Sequence, residues 1–323
     1  MPVSNTLRKA KRSFNIFAKT TWLHKALYFL GFLIAMSMAL NYGRQQVEGF
    51  EQPKTNGFKT VDTVPEIYDE FYATIYDDLV YNKNKNDYEI GAWINQAKPD
   101  ESSVILDVGS GTGHHVNNFK ARGYKTVGID ISPSMVEVAK KTYPEANFKV
   151  ADVLDSHIFK EQSFTHITCF YFTLYYIKDK QLFFENCMNW LTRGGFLAVH
   201  MVNRDKFDPI LPVGNPFMIV SPQKYAKKRI TSTTVKFDEF EYKSNFDIKD
   251  VIENANEPNA FMKESFKNNK SGDVRQNEHK LYMSTQAEIL DIAKSVGFIL
   301  DSKVDLLECQ YESQYIYILQ KPS

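Results

Sequence analysis

The stretch VILDVGSGTGHH, residues 104–115, decides the fold of this 323-residue chain. Its first five residues, Val104–Val108, form a short apolar run bounded by turn-forming residues, which predicts a buried β-strand. The run leads into a loop with three glycines, Gly109, Gly111 and Gly113, and then into a helix-like segment. A glycine-rich loop between a strand and a helix lets a ligand approach the backbone closely, so this loop is a candidate binding site.

Strand and helix patterns alternate along the chain after this loop. The predicted strands are Thr126–Ile129, Phe148–Val150, His166–Tyr171 and Phe196–Val202, with helices between them. Such alternation predicts an α/β protein with a parallel, doubly wound (Rossmann-like) sheet. After a helix over Gln286–Val296, two strands at Lys303–Glu308 and Gln314–Gln320 follow each other closely, which predicts an antiparallel pair at one edge.

Two further segments have patterns that differ from this alternation of strands and helices. Residues 203–280 include Thr231–Tyr242, whose strand-like alternation predicts an inserted antiparallel β-layer that covers the pocket. Ahead of the first strand, the polar run NKNKND at 82–87 predicts a break before a helix over Tyr88–Gln96.

The spacing of the three glycines argues against a dinucleotide ligand. The dinucleotide fingerprint is G-x-G-x-x-G, but the sixth position from Gly109 is His114, and the third glycine comes one residue early. Asp107 lies two residues before the loop, where its carboxylate would repel a pyrophosphate and attract a cationic ligand. A nucleoside that carries an amino acid and a sulfonium is such a cationic ligand.

Two further acidic residues end neighbouring strands. Asp130 ends the second predicted strand, where an acid of a doubly wound fold accepts the hydroxyls of a ribose. Asp152 follows the third strand and is placed to accept the exocyclic amine of adenine, with the backbone of Val153 on the ring edge. Open α/β sheets bind ligands at the carboxyl ends of their strands, so these residues should meet at one site.

At these residues the chain resembles the class I S-adenosylmethionine-dependent methyltransferases. The matching motifs are VILDVGSGTGHH at 104–115, VGIDIS at 127–132, ADV at 151–153 and RGGFLAVH at 193–200. The resemblance implies a seven-stranded sheet whose last strand is antiparallel, with S-adenosyl-L-methionine as the cofactor. It implies cofactor contacts from Asp107, Gly109, Gly111, Gly113, Asp130, Ile131, Asp152 and Val153. His166 departs from the family, which often has an aspartate at the start of the fourth strand.

Two weaker resemblances concern the acceptor. YDEFYATIYDDL at 68–79 resembles the lid helix of small-molecule N-methyltransferases that act on glycine-type amines or amino sugars, and RQNEHKLYM at 275–283 resembles the same group. Tyr68 and Tyr76 are therefore candidates for the cofactor or acceptor site, although a helix face packed on the core has the same spacing. Tyr171 ends the fourth predicted strand, where the transferred methyl group should emerge, and is a further cofactor-site candidate.

His279 and Tyr175 are the candidate catalytic residues. His279 precedes the strand-like LYM at the expected mouth of the pocket and would act as a general base for an acceptor that arrives protonated. Tyr175 follows the fourth strand, with core packing as the alternative. No histidine pair has the helical spacing of metal ligands together with a supporting acid, so we expect no metal site.

The charge distribution disfavours a nucleic-acid partner. Residues 1–47 carry seven basic residues and no acidic one, which leaves 32 basic and 39 acidic residues in the remainder, a net charge of −7. A body with that charge is a poor match for a phosphate backbone. The three cysteines, Cys169, Cys187 and Cys309, lie too far apart for a disulfide framework and fit a reducing compartment.

The N-terminal region predicts a single-pass membrane anchor. After a basic tail at 1–25, residues 26–43 carry no charge, and as a helix they would span about 27 Å of a hydrocarbon core of about 30 Å. A linker at 44–64 and a methyltransferase domain at 65–323 follow. The basic tail favours a cytosolic N-terminus, whereas a cofactor made in the cytosol favours the opposite orientation. A mitochondrial targeting segment is the alternative.

The sequence thus predicts a membrane-anchored methyltransferase that acts on a small molecule, with an amine favoured as acceptor. One alternative is a lipid or quinone-type acceptor, which an anchor would suit. Another is a structural or cofactor-binding protein that keeps the fold without turnover. The sequence does not predict the oligomeric state.

Overall fold

A computed structural model describes residues 57–210, 222–249 and 257–323, and outside these ranges only Phe29 and Met36. The predicted basic tail and most of the predicted linker lie outside the described residues, and so does the predicted membrane-spanning segment 26–43 apart from those two positions. In the part of the chain that is described, no helix has both the length and the apolar character needed to cross a bilayer.

Strands and helices follow one another from residue 58 onwards. The described strands are β1 (Phe58–Val61), β2 (Val104–Val108), β3 (Lys125–Asp130), β4 (Phe148–Val150), β5 (Phe164–Cys169), β6 (Leu191–Val202), β7 (Ser232–Lys236), β8 (Phe240–Ile248), β9 (Ala260–Asn268), β10 (Val274–Leu281), β11 (Ile299–Asp305) and β12 (Gln314–Gln320). The described α-helices are α1 (Val64–Ile67), α2 (Glu70–Val80), α3 (Lys83–Ala97), α4 (His114–Ala121), α5 (Pro133–Thr142), α6 (Thr173–Tyr176), α7 (Lys180–Trp190) and α8 (Gln286–Val296). Short 3₁₀-helices lie at Pro222–Tyr225 and Leu307–Cys309.

The larger sheet has seven described strands in the order β11-β12-β6-β5-β2-β3-β4. Strands β2 to β6 are parallel, whereas β12 runs antiparallel to both β6 and β11. This confirms the predicted doubly wound sheet with its closing antiparallel pair. Because parallel strands end at the same edge, the carboxyl ends of β2, β3, β4 and β5 lie side by side.

Helices cover both faces of this sheet. Successive residues of a strand point to opposite faces, so neighbouring residues of β2 pack against different helices. Ile105 of β2 packs in one apolar cluster with Trp93 of α3 and Phe119 of α4. The next residue, Leu106, packs in a second cluster with Phe184 of α7. All five side chains are fully buried, and burial of each contributes about 1.5–3 kcal/mol. The continuous apolar run of β2 therefore fits a strand that is buried on both faces.

The second sheet has the order β1-β10-β9-β8-β7 and is antiparallel except for the parallel pair β1 and β10. Strands β7 to β10 lie within residues 232–281 and form the antiparallel layer that the sequence pattern predicted after β6. The role of this layer as a cover of the pocket stays a prediction. The segment 231–242, whose strand-like alternation predicted this layer, contains β7 and the beginning of β8, and the turn between them is closed by a hydrogen bond from the Phe237 N–H to the Phe240 carbonyl. Strand β1 comes from the end of the stretch predicted as a linker.

Hydrogen bonds from Arg275 of β10 link the second sheet to α1 and to the beginning of α2. Its guanidinium donates to both carboxylate oxygens of Asp69, at 2.7 and 2.8 Å, and to the carbonyl of Ile67 at 2.9 Å. Both bonds to Asp69 come from Nη1, and the bond to Ile67 comes from Nη2. Arg275 is buried, and charge-assisted hydrogen bonds are stronger than neutral ones. The tyrosine-rich segment is therefore oriented by the inserted sheet.

The polar run at 82–87 is not a break but the beginning of α3. The side chain of Asn82 caps the helix by accepting a hydrogen bond from the Lys85 N–H at 3.0 Å. Lys85 is itself buried and forms an ion pair with Glu89 one turn later. The predicted break at 82–87 was wrong because the charge of Lys85 is paired with Glu89 inside the protein and does not face solvent.

Candidate active site

A cavity of about 560 Å³ lies at the carboxyl ends of the central strands. Its lining includes Gly109 and Gly111 of the glycine loop, Tyr68 and Tyr76 of the α1–α2 segment, and His279 of β10. A volume of this size is typical of sites for small molecules and cofactors.

The three glycines of the loop have different roles. A Cβ on Gly109 (φ +68°) would lie 2.4 Å from the side chain of Thr173, and a Cβ on Gly113 (φ +91°) would lie 2.6 Å from the ring of Phe148. A Cβ on Gly111 (φ +53°) would come no closer than 3.8 Å to the ring of Tyr76. Gly109 and Gly111 line the cavity, whereas Gly113 lies outside its lining and begins α4. The space above Gly111 is thus open to a ligand.

Asp130 ends β3 beside this loop, and the backbone holds its carboxylate. Its Oδ2 accepts the N–H of Gly111 and its Oδ1 accepts the N–H of Ser132, each at 2.9 Å. Burial raises the pKa of Asp130 above its ordinary value, although these backbone bonds act in the opposite direction. A carboxylate has about four acceptor positions, so capacity remains for the two hydroxyls of a ribose. The neighbouring Ile131 also lines the cavity.

Asp152 and Val153 line the same cavity after β4. The Oδ1 of Asp152 accepts the N–H of Leu154 at 2.9 Å, which orients the carboxylate. Because β3 and β4 are parallel neighbours, Asp152 and Asp130 follow adjacent strand ends. The structure therefore brings together the residues predicted for the nucleoside.

Asp107 lies outside the cavity lining. It is 3% exposed, and its Oδ1 accepts the hydroxyl of Thr168 at 2.7 Å. Burial raises the pKa of Asp107 to about 6. Asp107 therefore lies behind the wall of the cavity and not in it, and its direct contact with a cationic ligand stays a prediction.

A chain of hydroxyl groups leads from the cavity to His279. The Tyr68 hydroxyl donates to the Tyr176 hydroxyl at 3.0 Å, and the Tyr176 oxygen lies 2.6 Å from Nδ1 of His279. Burial raises the pKa of Tyr68 and of Tyr176 well above ordinary values, so both hydroxyls keep their protons. The Tyr72 and Tyr76 rings lie about 6 Å from the Tyr68 ring or closer, in tilted or edge-on contacts.

The other ring nitrogen of His279 faces Glu264 of β9. The distance from Nε2 to Oε2 is 2.7 Å, and both side chains are buried. Burial raises the pKa of Glu264, but His279 and the hydrogen bonds to the carboxylate outweigh it, so the pKa lies below its ordinary value. A carboxylate only accepts, so Nε2 carries the proton and Nδ1 accepts from Tyr176. His279 is therefore placed to receive a proton through Tyr176.

Tyr175 and Tyr171 are placed differently from each other. The Tyr175 hydroxyl accepts the N–H of Val202 at 2.8 Å, and the residue lies outside the cavity lining. Its neighbour Tyr176 lines the cavity instead, because α6 turns the two side chains in different directions. Tyr171 does line the cavity, and the Lys85 ammonium lies 3.6 Å from its ring centroid.

Curated relatives match part of this chain. Over 140 residues it is 29% identical to the dTDP-4-amino-2,3,4,6-tetradeoxy-D-glucose N,N-dimethyltransferase of Saccharopolyspora spinosa, covering 41% of this chain and 55% of the relative. Over 119 residues it is 28% identical to the dTDP-3-amino-3,4,6-trideoxy-alpha-D-glucopyranose N,N-dimethyltransferase of Streptomyces venezuelae, covering 36% and 49%. The chain spans about half the length of the curated relatives it matches.

A family model and a solved structure also match this chain. Residues 106–199 match the family model described as "Methyltransferase domain". The solved structure of an S-adenosylmethionine-dependent methyltransferase from Clostridium acetobutylicum matches with a TM-score of 0.57 at 18% identity, covering 78% of this chain and 98% of that one. The fold is that of a class I methyltransferase. Within this methyltransferase fold, the family match includes Asp107, the glycine loop, Asp130 and Asp152.

Sequence reasoning missed Glu264 and Lys85, both of which are buried at the site. Glu264 pairs in register with Asn277, two residues before His279, so only the register of β9 against β10 brings the acid to the histidine. Lys85 lies in the polar run that we predicted as a break. Its i,i+4 spacing to Glu89 was the one available signal.

Proposed function

We propose that the protein is an enzyme that transfers a methyl group from S-adenosyl-L-methionine to a small-molecule amine. The observation that carries the proposal is a cavity lined on one side by the glycine loop and Asp130 and on another by tyrosines that include Tyr176. Tyr176 contacts His279, and His279 contacts Glu264. Methyl transfer requires mainly that the acceptor is aligned and that water is excluded. A buried, aromatic site of this size suits both requirements.

The residues after β2, β3 and β4 suit the nucleoside part of this cofactor. Gly111 leaves open space above the loop, Asp130 keeps acceptor capacity for ribose hydroxyls, and Asp152 follows the adjacent strand. When bound, the cofactor supplies a methyl group on a positively charged sulfur, which is already a good leaving group.

An amine acceptor has to lose a proton before it can attack, because an ammonium has no free lone pair. A proton given to the Tyr68 oxygen releases the Tyr68 proton to Tyr176, and the Tyr176 proton passes to Nδ1 of His279. The resulting imidazolium faces the carboxylate of Glu264 at 2.7 Å, which stabilises it. The chain's own residues thus hold a route for one proton from the acceptor to a buried base.

Amino sugars are the acceptor class that the relatives favour. The relatives from Saccharopolyspora spinosa and Streptomyces venezuelae both carry the names of amino-deoxysugar N,N-dimethyltransferases. The faces of Tyr68, Tyr72 and Tyr76 would attract a cationic amine by cation–π interaction and still admit its neutral form.

The test is methyl transfer by the full-length protein. Purified protein is incubated with methyl-labelled S-adenosylmethionine and a panel of amines that includes amino sugars, and products are identified by mass spectrometry. We expect a methylated amine and one equivalent of S-adenosylhomocysteine per methyl group. His279→Gln should lower kcat by about 100-fold or more, whereas the matched control His157→Gln, at an exposed histidine, should not. Transfer to no amine would refute the function, and a wild-type kcat in His279→Gln would refute the base.

The uncharged segment 26–43 supports a second candidate, a membrane lipid or quinone-type acceptor. This candidate depends on a membrane anchor, which rests on the sequence alone. Alkaline carbonate extraction of membranes tests the anchor, because an anchored protein stays in the pellet. A methylated product that partitions into organic solvent would favour the lipid acceptor, and cofactor binding without transfer to any cell extract would favour a non-catalytic protein.

A further inference from the structure

One part of the cavity lining is apolar, and the proposed proton route does not use it. Phe172 after β5, Phe207 after β6, Phe246 of β8 and Met262 of β9 all belong to the lining, and we call these four residues the apolar subsite. Phe207 and Phe246 are buried, whereas Phe172 and Met262 are partly buried against the same apolar core. None of the four side chains has a strong hydrogen-bonding group. This part of the wall therefore suits the apolar part of a ligand.

The four side chains of the apolar subsite form one continuous surface. The ring centroid of Phe207 lies 5.5 Å from that of Phe172 and 5.3 Å from that of Phe246, in tilted and edge-on contacts. Phe246 pairs in register with Met262 across β8 and β9, and the Cβ atoms of such a directly opposite pair lie about 5 Å apart on one face of a sheet. Three aromatic rings and one flexible thioether therefore make a single patch.

The apolar subsite adjoins the proposed base. Met262 pairs in register with His279 across β9 and β10, so the two side chains are neighbours on one face of the second sheet. Phe172 precedes Tyr176 by one turn, which begins with a hydrogen bond from the Tyr175 N–H to the Phe172 carbonyl at 2.9 Å. Tyr176 lies 2.6 Å from Nδ1 of His279. The apolar subsite therefore meets the proton route at two residues, His279 and Tyr176.

Contacts within the protein hold the rings of the apolar subsite and the turn that carries Phe207. The guanidinium carbon of Arg229 lies 4.8 Å from the ring centroid of Phe207 and 5.6 Å from that of Phe246, and Nη2 donates to the Phe207 carbonyl at 2.7 Å. A guanidinium is attracted to the face of an aromatic ring. Asp208 also lines the cavity, and its Oδ1 accepts the N–H of Ile210 at 2.9 Å, which closes the turn. The apolar subsite is therefore formed before a ligand binds.

We propose that the acceptor is an amine with an apolar carbon group, either an alkyl chain or the methyl-bearing side of a deoxy sugar, and that the apolar subsite binds this group. The proposal rests on the proposed function and adds the second part of the acceptor to it. With the nitrogen at Tyr68, which bonds to Tyr176, the carbons of the acceptor reach the apolar subsite beside Tyr176 and His279. Each buried CH₂ favours binding by about fourfold, whereas a hydroxyl on this surface loses its hydrogen bonds to water. The apolar subsite therefore selects against hydroxyl-rich amines of the same size.

The experiment compares acceptors that differ by one hydroxyl group. The full-length protein is assayed with methyl-labelled S-adenosylmethionine and two matched pairs of amines. The first pair is n-pentylamine and 4-aminobutanol, in which a hydroxyl replaces the terminal methyl group, and the second is 6-deoxyglucosamine and glucosamine. We expect kcat/KM to be at least about tenfold higher for the apolar member of at least one pair, and the more active pair shows whether the carbon group belongs to a chain or to a sugar. Ratios below about tenfold in both pairs would overturn the proposal.

Met262→Gln tests the surface itself, because it keeps the length of the side chain and adds an amide. It should bring the two kcat/KM values of the more active pair within about threefold of each other, through a raised KM for the apolar member. The matched control is Met188→Gln, the same change at a partly buried methionine outside the cavity lining, which should keep the wild-type ratio. Urea unfolding shows whether the variants fold. If Met262→Gln does not, Phe172→Tyr, which adds a hydroxyl to the same surface, should lower the ratio instead.

The possible failures are distinguishable. A wild-type ratio in the folded variant of the apolar subsite, or an equal decrease of the ratio in Met188→Gln, would refute the role of the apolar subsite while the methylation of an amine stands. A higher kcat/KM for the hydroxyl-bearing member of both pairs would also refute it and leave the proposed function in place. Transfer to no amine would refute the proposed function itself, and the proposal with it.

Discussion

Replacing Glu264 by glutamine should remove the negative charge that faces His279, the proposed base. The surrounding hydrogen bonds should stay in place. The carboxylate accepts the hydroxyls of Tyr72 and Tyr242 on Oε1, and it accepts Asn277 and His279 on Oε2. A glutamine whose amide oxygen faces His279 keeps the last two bonds. The tyrosine hydroxyls can rotate to accept from the amide nitrogen, because a hydroxyl both donates and accepts. We therefore expect Glu264→Gln to fold.

In the proposed mechanism, the charge of Glu264 matters when His279 takes up the acceptor's proton. The distance from Nε2 to Oε2 is 2.7 Å, and the two side chains are 2% and 0% exposed, so solvent screens the pair little. A hydrogen bond to a charged group contributes about 1.5–3 kcal/mol, which corresponds to about 10- to 150-fold in rate. We expect Glu264→Gln to lower kcat by that factor at neutral pH and to leave the KM for the cofactor unchanged.

The assay is steady-state kinetics with S-adenosylmethionine and the amine that the transfer experiment identifies. Tyr242→Phe is the matched control, because it removes one of the four hydrogen bonds to the same carboxylate but keeps the charge. Urea unfolding of both variants shows whether the fold is retained. Equal decreases of kcat in the two variants, or an unchanged kcat in Glu264→Gln, would refute the idea that Glu264 stabilises an imidazolium.

Three further predictions concern the cofactor side. Asp130→Ala should weaken S-adenosylhomocysteine binding by about 1–3 kcal/mol, and calorimetry that finds the same affinity would exclude a ribose at this residue. Burial raises the pKa of Asp107 from 3.8 to about 6, so between these pH values the folded chain binds more protons than the unfolded chain. The unfolding free energy should therefore lose up to about 3 kcal/mol from this group as pH rises from about 4 to about 6. Urea titrations of Asp107→Asn should lack that component, and a profile parallel to wild type would contradict the assignment. Gly109→Ala should lower the urea midpoint, since its Cβ would lie 2.4 Å from Thr173; the added change Thr173→Ala should recover part of the loss, and no recovery would exclude this clash.

The parts of the fold that could be predicted are those whose pattern is local. Val104–Val108, Phe148–Val150 and Gln314–Gln320 have the predicted bounds, because apolar runs between turn residues carry enough information in a few positions. The glycine loop was predictable for the same reason. The positions of Asp130 and Asp152 at adjacent strand ends followed from the prediction of a parallel sheet. Their contact with a cofactor stays a prediction.

The acceptor side could not be predicted because its contacts are distant in sequence. Glu264 meets His279 only through the register of two strands, and Tyr68 meets Tyr176 across 108 positions. The orientation of one short helix, α6, decides that Tyr176 and not Tyr175 lines the cavity. Charged residues such as Lys85 were assigned to solvent, as most lysines are, although this one is buried.

Two contacts join stretches that are distant in the chain. These are the parallel pairing of β1 with β10 and the ion pair between Arg275 and Asp69. Tyr68 and Tyr76 belong to the stretch that precedes the Rossmann-like core, and His279 belongs to the stretch inserted late in it. Neither stretch contains the glycine loop or the acids after β3 and β4. A change in acceptor preference can therefore evolve through matched substitutions in these two stretches, while the half of the cavity that would hold the methyl donor keeps its sequence.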